Sequence, residues 1–190
     1  MHPLLWQIMG DAWLVAGIIW LVMAFSAKRA LKRQAPGQRI AQIAVVALGF
    51  FLLFGRPRSF GFLAARFLTV STAAAYLGFA FTLAGILIAI WARFFLGSNW
   101  SGTPTIKRDH QLIRSGPYSM VRHPIYSGLI LAILGTAIYI GEIRGLLALA
   151  LAIIGLKWKS LTEESFMQEQ FGSSYIEYKR QVKALIPFVW

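Results

Sequence analysis

Five apolar segments, from about Leu4 to Ala27, Ile40 to Phe54, Leu68 to Leu96, Ile125 to Ile140 and Gly145 to Trp158, are separated by connectors that carry almost all of the chain's charge. A hydrocarbon core of about 30 Å leaves no partner for an unpaired backbone amide, so helices are the open solution for segments of this length. The pattern predicts an all-α integral membrane protein with about five transmembrane helices. The last two segments are short, at roughly 20 to 25 Å of helix. Their connector Gly141-Glu142-Ile143-Arg144-Gly145 predicts an antiparallel hairpin. Composition agrees: 57% of the 190 residues are hydrophobic and 14% charged, with mean hydropathy +0.62. No linker or repeat interrupts the chain, which predicts one domain over 1–190, with a three-helix part at 1–96 and a second part at 97–190. The N-terminus lacks a basic stretch before its apolar run and carries Asp11, so it is expected to stay in the mature chain.

Charge orients the bundle. Lys28, Arg29, Lys32, Arg33 and Arg39 fall between the first two segments; Arg93, Lys107, Arg108, Arg114 and Arg122 between the third and fourth; Lys157, Lys159, Lys179, Arg180 and Lys183 after the fifth. The opposite side holds Arg56, Arg58, Arg66 and Arg144, four of nineteen basic residues. Placed in a cell inner membrane, this asymmetry puts the N-terminus outside and the C-terminus in the cytoplasm. The formal net charge of +12 does not indicate nucleic acid, because the basic residues flank spans and face anionic headgroups. Cysteine is absent, which excludes disulfides and thiolate chemistry by the protein. His2, His110 and His123 have no metal-ligand spacing, so no metal is expected.

Two stretches on the basic side are too rich for plain connectors. Gly97 to His123 is long for a loop and ends in the run Gly116 to Gly128, GPYSMVRHPIYSG, at the foot of the fourth segment. There a cation, an imidazole and an exposed helix N-terminus come together, a combination suited to an anionic group. The tail from Ser160 to Trp190 predicts a helix N-capped by Thr162 and ended by Gly172, then a second with capping-box spacing at Ser174 and Glu177. Tyr175, Tyr178, Val182 and Leu185 recur at helical steps and make a stripe that packs on the bundle or lies at the interface. Gly49, Gly78, Gly85 and Gly128 are expected where helices pack closely.

The order His110-Gln111-Leu112-Ile113, then GPYSMVRHPIYSG, a hairpin, Glu163-Glu164, FGSSYIEY from Phe171 and Ile186-Pro187-Phe188 resembles the isoprenylcysteine carboxyl methyltransferase family and its phospholipid N-methyltransferase relatives. The likeness covers roughly the C-terminal half. It implies a methyltransferase that uses S-adenosyl-L-methionine, held in a pocket closed by the cytoplasmic loop and the C-terminal helices. The family pattern places cofactor contacts at His110, Gln111, Leu112, Ile113, Gly116, Tyr118, Arg122, His123, Pro124, Tyr126, Glu163 and Glu164, with Arg122, Glu163 and Glu164 as the catalytic group. Lys159 stands just before the acidic pair, where the family commonly has arginine, and is the substrate candidate. The donor's carboxylate, ammonium and sulfonium call for cations, carboxylates and aromatic faces together, which this set contains. The implied substrate is lipid-like or a small apolar carboxylate, thiol or amine that arrives from the bilayer; the residues do not choose among them, nor do they set the oligomeric state. An amine would need a base, for which Glu163, Glu164 and His123 stand available. Sterol reductases carry a related Arg-His-x-x-Tyr element, which leaves a nicotinamide-dependent lipid reductase as one alternative. A catalytically silent membrane scaffold is the other.

Overall fold

In the computed structural model, residues 2–25, 30–33, 36–55, 60–69, 71–100, 105–107 and 111–186 are described. Helices run over Pro3–Ala24 (α1), Pro36–Phe54 (α2), Thr72–Leu96 (α3), Pro124–Ile140 (α4), Ile143–Phe171 (α5) and Ser173–Gln181 (α6). Four of them, α1, α2, α3 and α5, are long and apolar enough to cross a membrane; α4, with 17 residues, is a shorter apolar helix beside them. The chain is an integral membrane helical bundle. The loops that lead into α2 and out of α3 meet in a small antiparallel ribbon, β1 (Ala30–Arg33) with β2 (Thr105–Lys107). No alternating pattern in the sequence announced it.

The fifth segment does not stop at Trp158. α5 continues through the charged stretch to a total of 29 residues, about 43 Å, because no glycine or proline follows Trp158 until Gly172. Thr162 is therefore not an N-cap; its hydroxyl bonds back to the Trp158 carbonyl one turn earlier. Gly172, with φ +53°, ends the helix in a conformation that a β-carbon would resist. The same residue precedes α6, so Ser174 caps nothing with its side chain.

Close packing is concentrated between α3 and α4. A β-carbon at Gly85 would lie 2.4 Å from the Ala132 nitrogen and the Gly128 carbonyl, and one at Gly135 would lie 2.4 Å from the Thr82 nitrogen. Gly78 and Gly128 are equally tight, so the backbones meet along two turns of small residues. Between them Thr82 and Thr136 share a hydrogen bond of 3.2 Å, and the Trp13 indole of α1 donates to Thr136 at 3.2 Å. Gly49 departs from the expectation: a β-carbon there would meet nothing within 4 Å, because α2 faces open space at that level.

At the bundle end opposite the basic loops, the turn between α4 and α5 is more than a glycine connector. Arg144 pairs with Glu142 at 2.6 Å while buried, and its guanidinium donates to the orphan carbonyls of Leu52, Leu53 and Gly55, which caps α2. Outward faces of α1 and α2, with Leu14, Ile18, Ile43 and Phe51 exposed, suit contact with lipid.

The glycine pairing makes a direct prediction. Gly85→Val or Gly135→Val should lower the midpoint of thermal unfolding in detergent by many degrees, since backbone atoms must move apart. Gly49→Ala should leave it unchanged. Equal stability of all three variants would show that α3 and α4 do not touch as described.

Candidate active site

The foot of α4 is shaped by a turn and a strand-like step. Gly116 has φ +59° and lies against the Phe95 ring, and a 3-10 turn over Gly116–Ser119 follows, closed by the Ser119 hydroxyl on the Gly116 carbonyl at 2.7 Å. Tyr118 is buried in this turn, and its hydroxyl donates to the Ala92 carbonyl of α3. Burial pushes that hydroxyl well above the ordinary tyrosine range, so it remains a neutral donor. The chain after α6 then pairs in parallel with residues 121–123 through a bridge between Val121 and Lys183. The Arg122 amide donates to Lys183 at 2.8 Å and the His123 amide to Ala184 at 2.9 Å. Pro124 opens α4 at its first turn, where a missing N–H costs nothing.

Glu163 and Glu164 are successive residues of α5, so their side chains leave the helix about 100° apart. Glu164 turns toward the tail. It receives Arg122 through Nε at 2.9 Å and the terminal nitrogen at 2.6 Å, His123 Nε2 at 3.2 Å and Lys179 Nζ at 2.8 Å. Arg122 and Glu164 expose only 7% and 6% of their side chains, whereas Lys179 exposes 45%. The rest of the Arg122 guanidinium goes to tail carbonyls, Lys179 at 3.3 Å and Val182. A carboxylate only accepts, so His123 Nε2 is the donor in its contact. Glu163 turns the other way. It accepts the Tyr126 hydroxyl at 2.6 Å, and its second oxygen lies 3.7 Å from His123 Nδ1. The His123 and Tyr126 rings are stacked, 5.3 Å apart and 5° from parallel.

These groups border one continuous cavity of about 650 Å³. Of the residues singled out in the sequence, Gln111, Leu112, Ile113 and Tyr118 line it from the loop; Arg122, His123 and Tyr126 from the foot of α4; Lys159 and Glu163 from α5. Glu164, Gly116 and Pro124 do not line it: the first is turned into the ionic knot, and the other two shape the backbone that presents their neighbours. His110 lies outside the described residues. Beyond Tyr126 the cavity becomes an apolar arm between α2 and α5, past Val46, Gly49, Leu53, Leu151 and Gly155. The open space beside Gly49 is this arm. Polar chemistry thus occupies one end and hydrocarbon walls the other.

Several contributors carried no strong signal in the sequence. Lys179 reads as one more basic residue in the tail, yet it closes the ring of cations around Glu164. Tyr178 donates to the Tyr118 carbonyl at 2.5 Å, with its hydroxyl pushed up to about 12 by burial, and Ser127 donates to Leu185 at 2.5 Å. The aromatic stripe of the tail contained this information only in part: Tyr175 and Tyr178 are buried on α6, while Val182 and Leu185 fall beyond its end.

Residues 73–174 match the family model described as phospholipid methyltransferase. The protein-S-isoprenylcysteine O-methyltransferase of Schizosaccharomyces pombe is 34% identical over 100 residues, 49% of this chain and 41% of that protein. The B form from Arabidopsis thaliana is 27% identical over 119 residues, 59% of this chain and 58% of the relative. The chain thus spans about two fifths to three fifths of the length of these relatives. A solved structure of the eukaryotic intramembrane Ras methyltransferase, isoprenylcysteine carboxyl methyltransferase, superposes with TM-score 0.52 at 24% identity, over 84% of this chain and 55% of that one, a likeness of fold.

The ionic knot sets unequal costs for its members. Glu164→Ala strands a buried guanidinium and should cost about 3 to 5 kcal/mol, whereas Lys179→Ala removes a half-exposed partner and should cost at most about 1 kcal/mol. Limited proteolysis should then cut the first variant near Gly172 while the bundle stays intact. Equal resistance of both variants would mean that the knot does not hold the tail.

Proposed function

Because its model matches more than half of the chain, this protein belongs to the phospholipid methyltransferase family, and we propose that it is an integral membrane methyltransferase that uses S-adenosyl-L-methionine. The observation that carries this reading is the convergence of Arg122 and His123, at the foot of α4, with Glu163 of α5 on the wall of a cavity that continues into the bundle, held in place by Glu164 behind them. The donor set fits the cofactor. A carboxylate at Glu163 suits an ammonium or ribose hydroxyls, and Gln111, Leu112, Ile113 and Tyr118 offer amide and apolar surface for a nucleoside. Bound there, the cofactor supplies a methyl group activated by its sulfonium.

The protein's own part is positioning. Glu163 is oriented by the Tyr126 hydroxyl and faces His123, so a carboxylate and an imidazole stand together where the polar end meets the apolar arm. Both are within reach of a proton on an amine or thiol head. Lys159, with its ammonium 5.6 Å from the Tyr126 ring centre, stands at the same junction and suits an anionic head group. Arg122 and Glu164 hold the tail beside the cavity; Arg122 also lines it and is placed for the direct contact that the family pattern suggests, while Glu164 acts through the knot. A substrate with an apolar body lies in the arm between α2 and α5 and presents its head to this junction. The distribution of basic residues supports a cytoplasmic active site, with the N-terminus outside, in a cell inner membrane.

Ligand-induced stabilisation in detergent tests the cofactor. S-adenosylhomocysteine should raise the thermal midpoint, by mass action on the folded state, and NADPH should not. Glu163→Gln should lose most of that shift and most transfer of labelled methyl into extracted lipids or thiols, while its midpoint without ligand stays near that of the parent. Stabilisation by NADPH alone would replace this reading with a reductase, and stabilisation by neither would leave a scaffold.

A further inference from the structure

The cavity has an aromatic wall that the family resemblance did not point to. Trp100 follows the 3-10 turn Gly97–Asn99 at the end of α3, borders the cavity, and packs with Ile113 and Tyr118. Behind it lies Arg93, fully buried, with its guanidinium carbon 4.1 Å from the centre of the Trp100 ring. Arg93 is held by the Gly97 carbonyl at 2.9 Å and by the Met23 carbonyl of α1 at 2.7 Å, and its Nε has no hydrogen-bond partner among the described residues. It thus closes the C-termini of two helices, where positive charge is favoured, and presses that charge against an indole.

Resting on the methyltransferase reading above, we infer that Trp100 is the stacking platform for the purine ring of the cofactor, with Arg93 as its fixed backing. A guanidinium on one face draws electron density from the indole. The ring becomes a poor host for a second cation, such as a sulfonium, and a better one for a neutral, electron-rich plane. Three other aromatic groups at this end have partners of their own. Tyr126 is stacked on His123 and has Lys159 over its ring; Tyr118 and Tyr178 are buried and donate their hydroxyls to main-chain carbonyls. Beside Trp100, the Asn99 side-chain oxygen accepts the Gln111 amide at 3.4 Å, and both residues line the cavity. Amide groups therefore stand next to the platform, where the polar edge of a purine would fall. The arrangement also separates tasks: the nucleoside base sits on the α3 side, and the charged amino-acid end lies toward Glu163 and His123.

Calorimetry in detergent on the full chain tests this with two probes, S-adenosylhomocysteine and 5′-methylthioadenosine, which share the purine but not the amino-acid end. Trp100→Leu should weaken both by the same factor, roughly tenfold or more, as expected for a lost base–aromatic stack, and Trp100→Phe should recover most of it. Fluorescence supplies a readout that does not depend on the leucine variant folding. Quenching of indole emission by S-adenosylhomocysteine should be marked in the parent and largely lost in Trp100→Phe. Parent-like binding and quenching in the variants, or weakening of S-adenosylhomocysteine alone, would overturn the platform while leaving the cofactor assignment intact. Failure of the parent itself to bind S-adenosylhomocysteine would overturn both.

Discussion

A carboxylate removed from water next to a bilayer must be met by donors and cations, and Glu164 is met by three groups from two places: Arg122 and His123 before α4, and Lys179 on α6. The cost of burying these charges is recovered only when all of the segments are in register, because an isolated buried ion is far more expensive than a paired one. The knot therefore acts as a condition on the fold as well as a bond within it. With Glu164 satisfied, the tail after α6 is placed against residues 121–123, where the Arg122 and His123 amides find carbonyls. Those contacts fix the floor of the cavity. What the knot cannot set is the height and angle of α4.

That comes from α3. Glycines on both helices let the backbones approach until a single added carbon would collide with main-chain atoms, and the two threonines between them satisfy each other. In lipid, where hydrophobicity gives helices little reason to associate, such close contact and a few internal hydrogen bonds are the available forces. α4 is thereby locked to α3, and its first turn is locked to the end of α3, where Arg93 and Trp100 stand. α2 is handled differently. It leans on α5, receives its cap from Arg144, and leaves space at Gly49, so the wall of the apolar arm is the part of the bundle with the least packing behind it.

Much of this was legible in the sequence, and the reasons differ by residue. The spans were visible because lipid demands uninterrupted apolar helix. The run from Gly116 to His123 was visible because charge, proline and glycine concentrate where a chain makes a turn and a site at once. The acidic pair was recognisable only in the company of that run. What a one-dimensional reading could not supply was direction: Glu163 and Glu164 look alike in sequence, and only the helix, with its turn of about 100° per residue, sends one to the cavity and the other to the tail. The end of α5 was misplaced because its composition changes from apolar to charged at Trp158, although helix propensity does not. Gly49 was misread for a related reason, since a glycine that makes room for a neighbour and one that makes room for a cavity are the same letter. Lys179 and Trp100 had no distinguishing context, and the ribbon of β1 and β2 depends on a pairing between distant loops.

The division between the two glutamates carries the functional argument furthest. A single carboxylate asked both to hold the tail and to meet a ligand would lose one role whenever it performed the other, because each needs the same lone pairs. Here the structural task is complete within Glu164, whose partners are Arg122, His123 and Lys179. Glu163 receives the Tyr126 hydroxyl and remains on the cavity wall. A ligand that meets Glu163 therefore does not compete for the ion pairs of Glu164. The deeper arm is walled by apolar residues of α2 and α5, Val46, Leu53 and Leu151 among them, which suits a molecule with a polar head and an apolar body. On the proposed reading, an amphiphile of that kind reaches the junction from the bilayer side and a charged nucleoside reaches it from water.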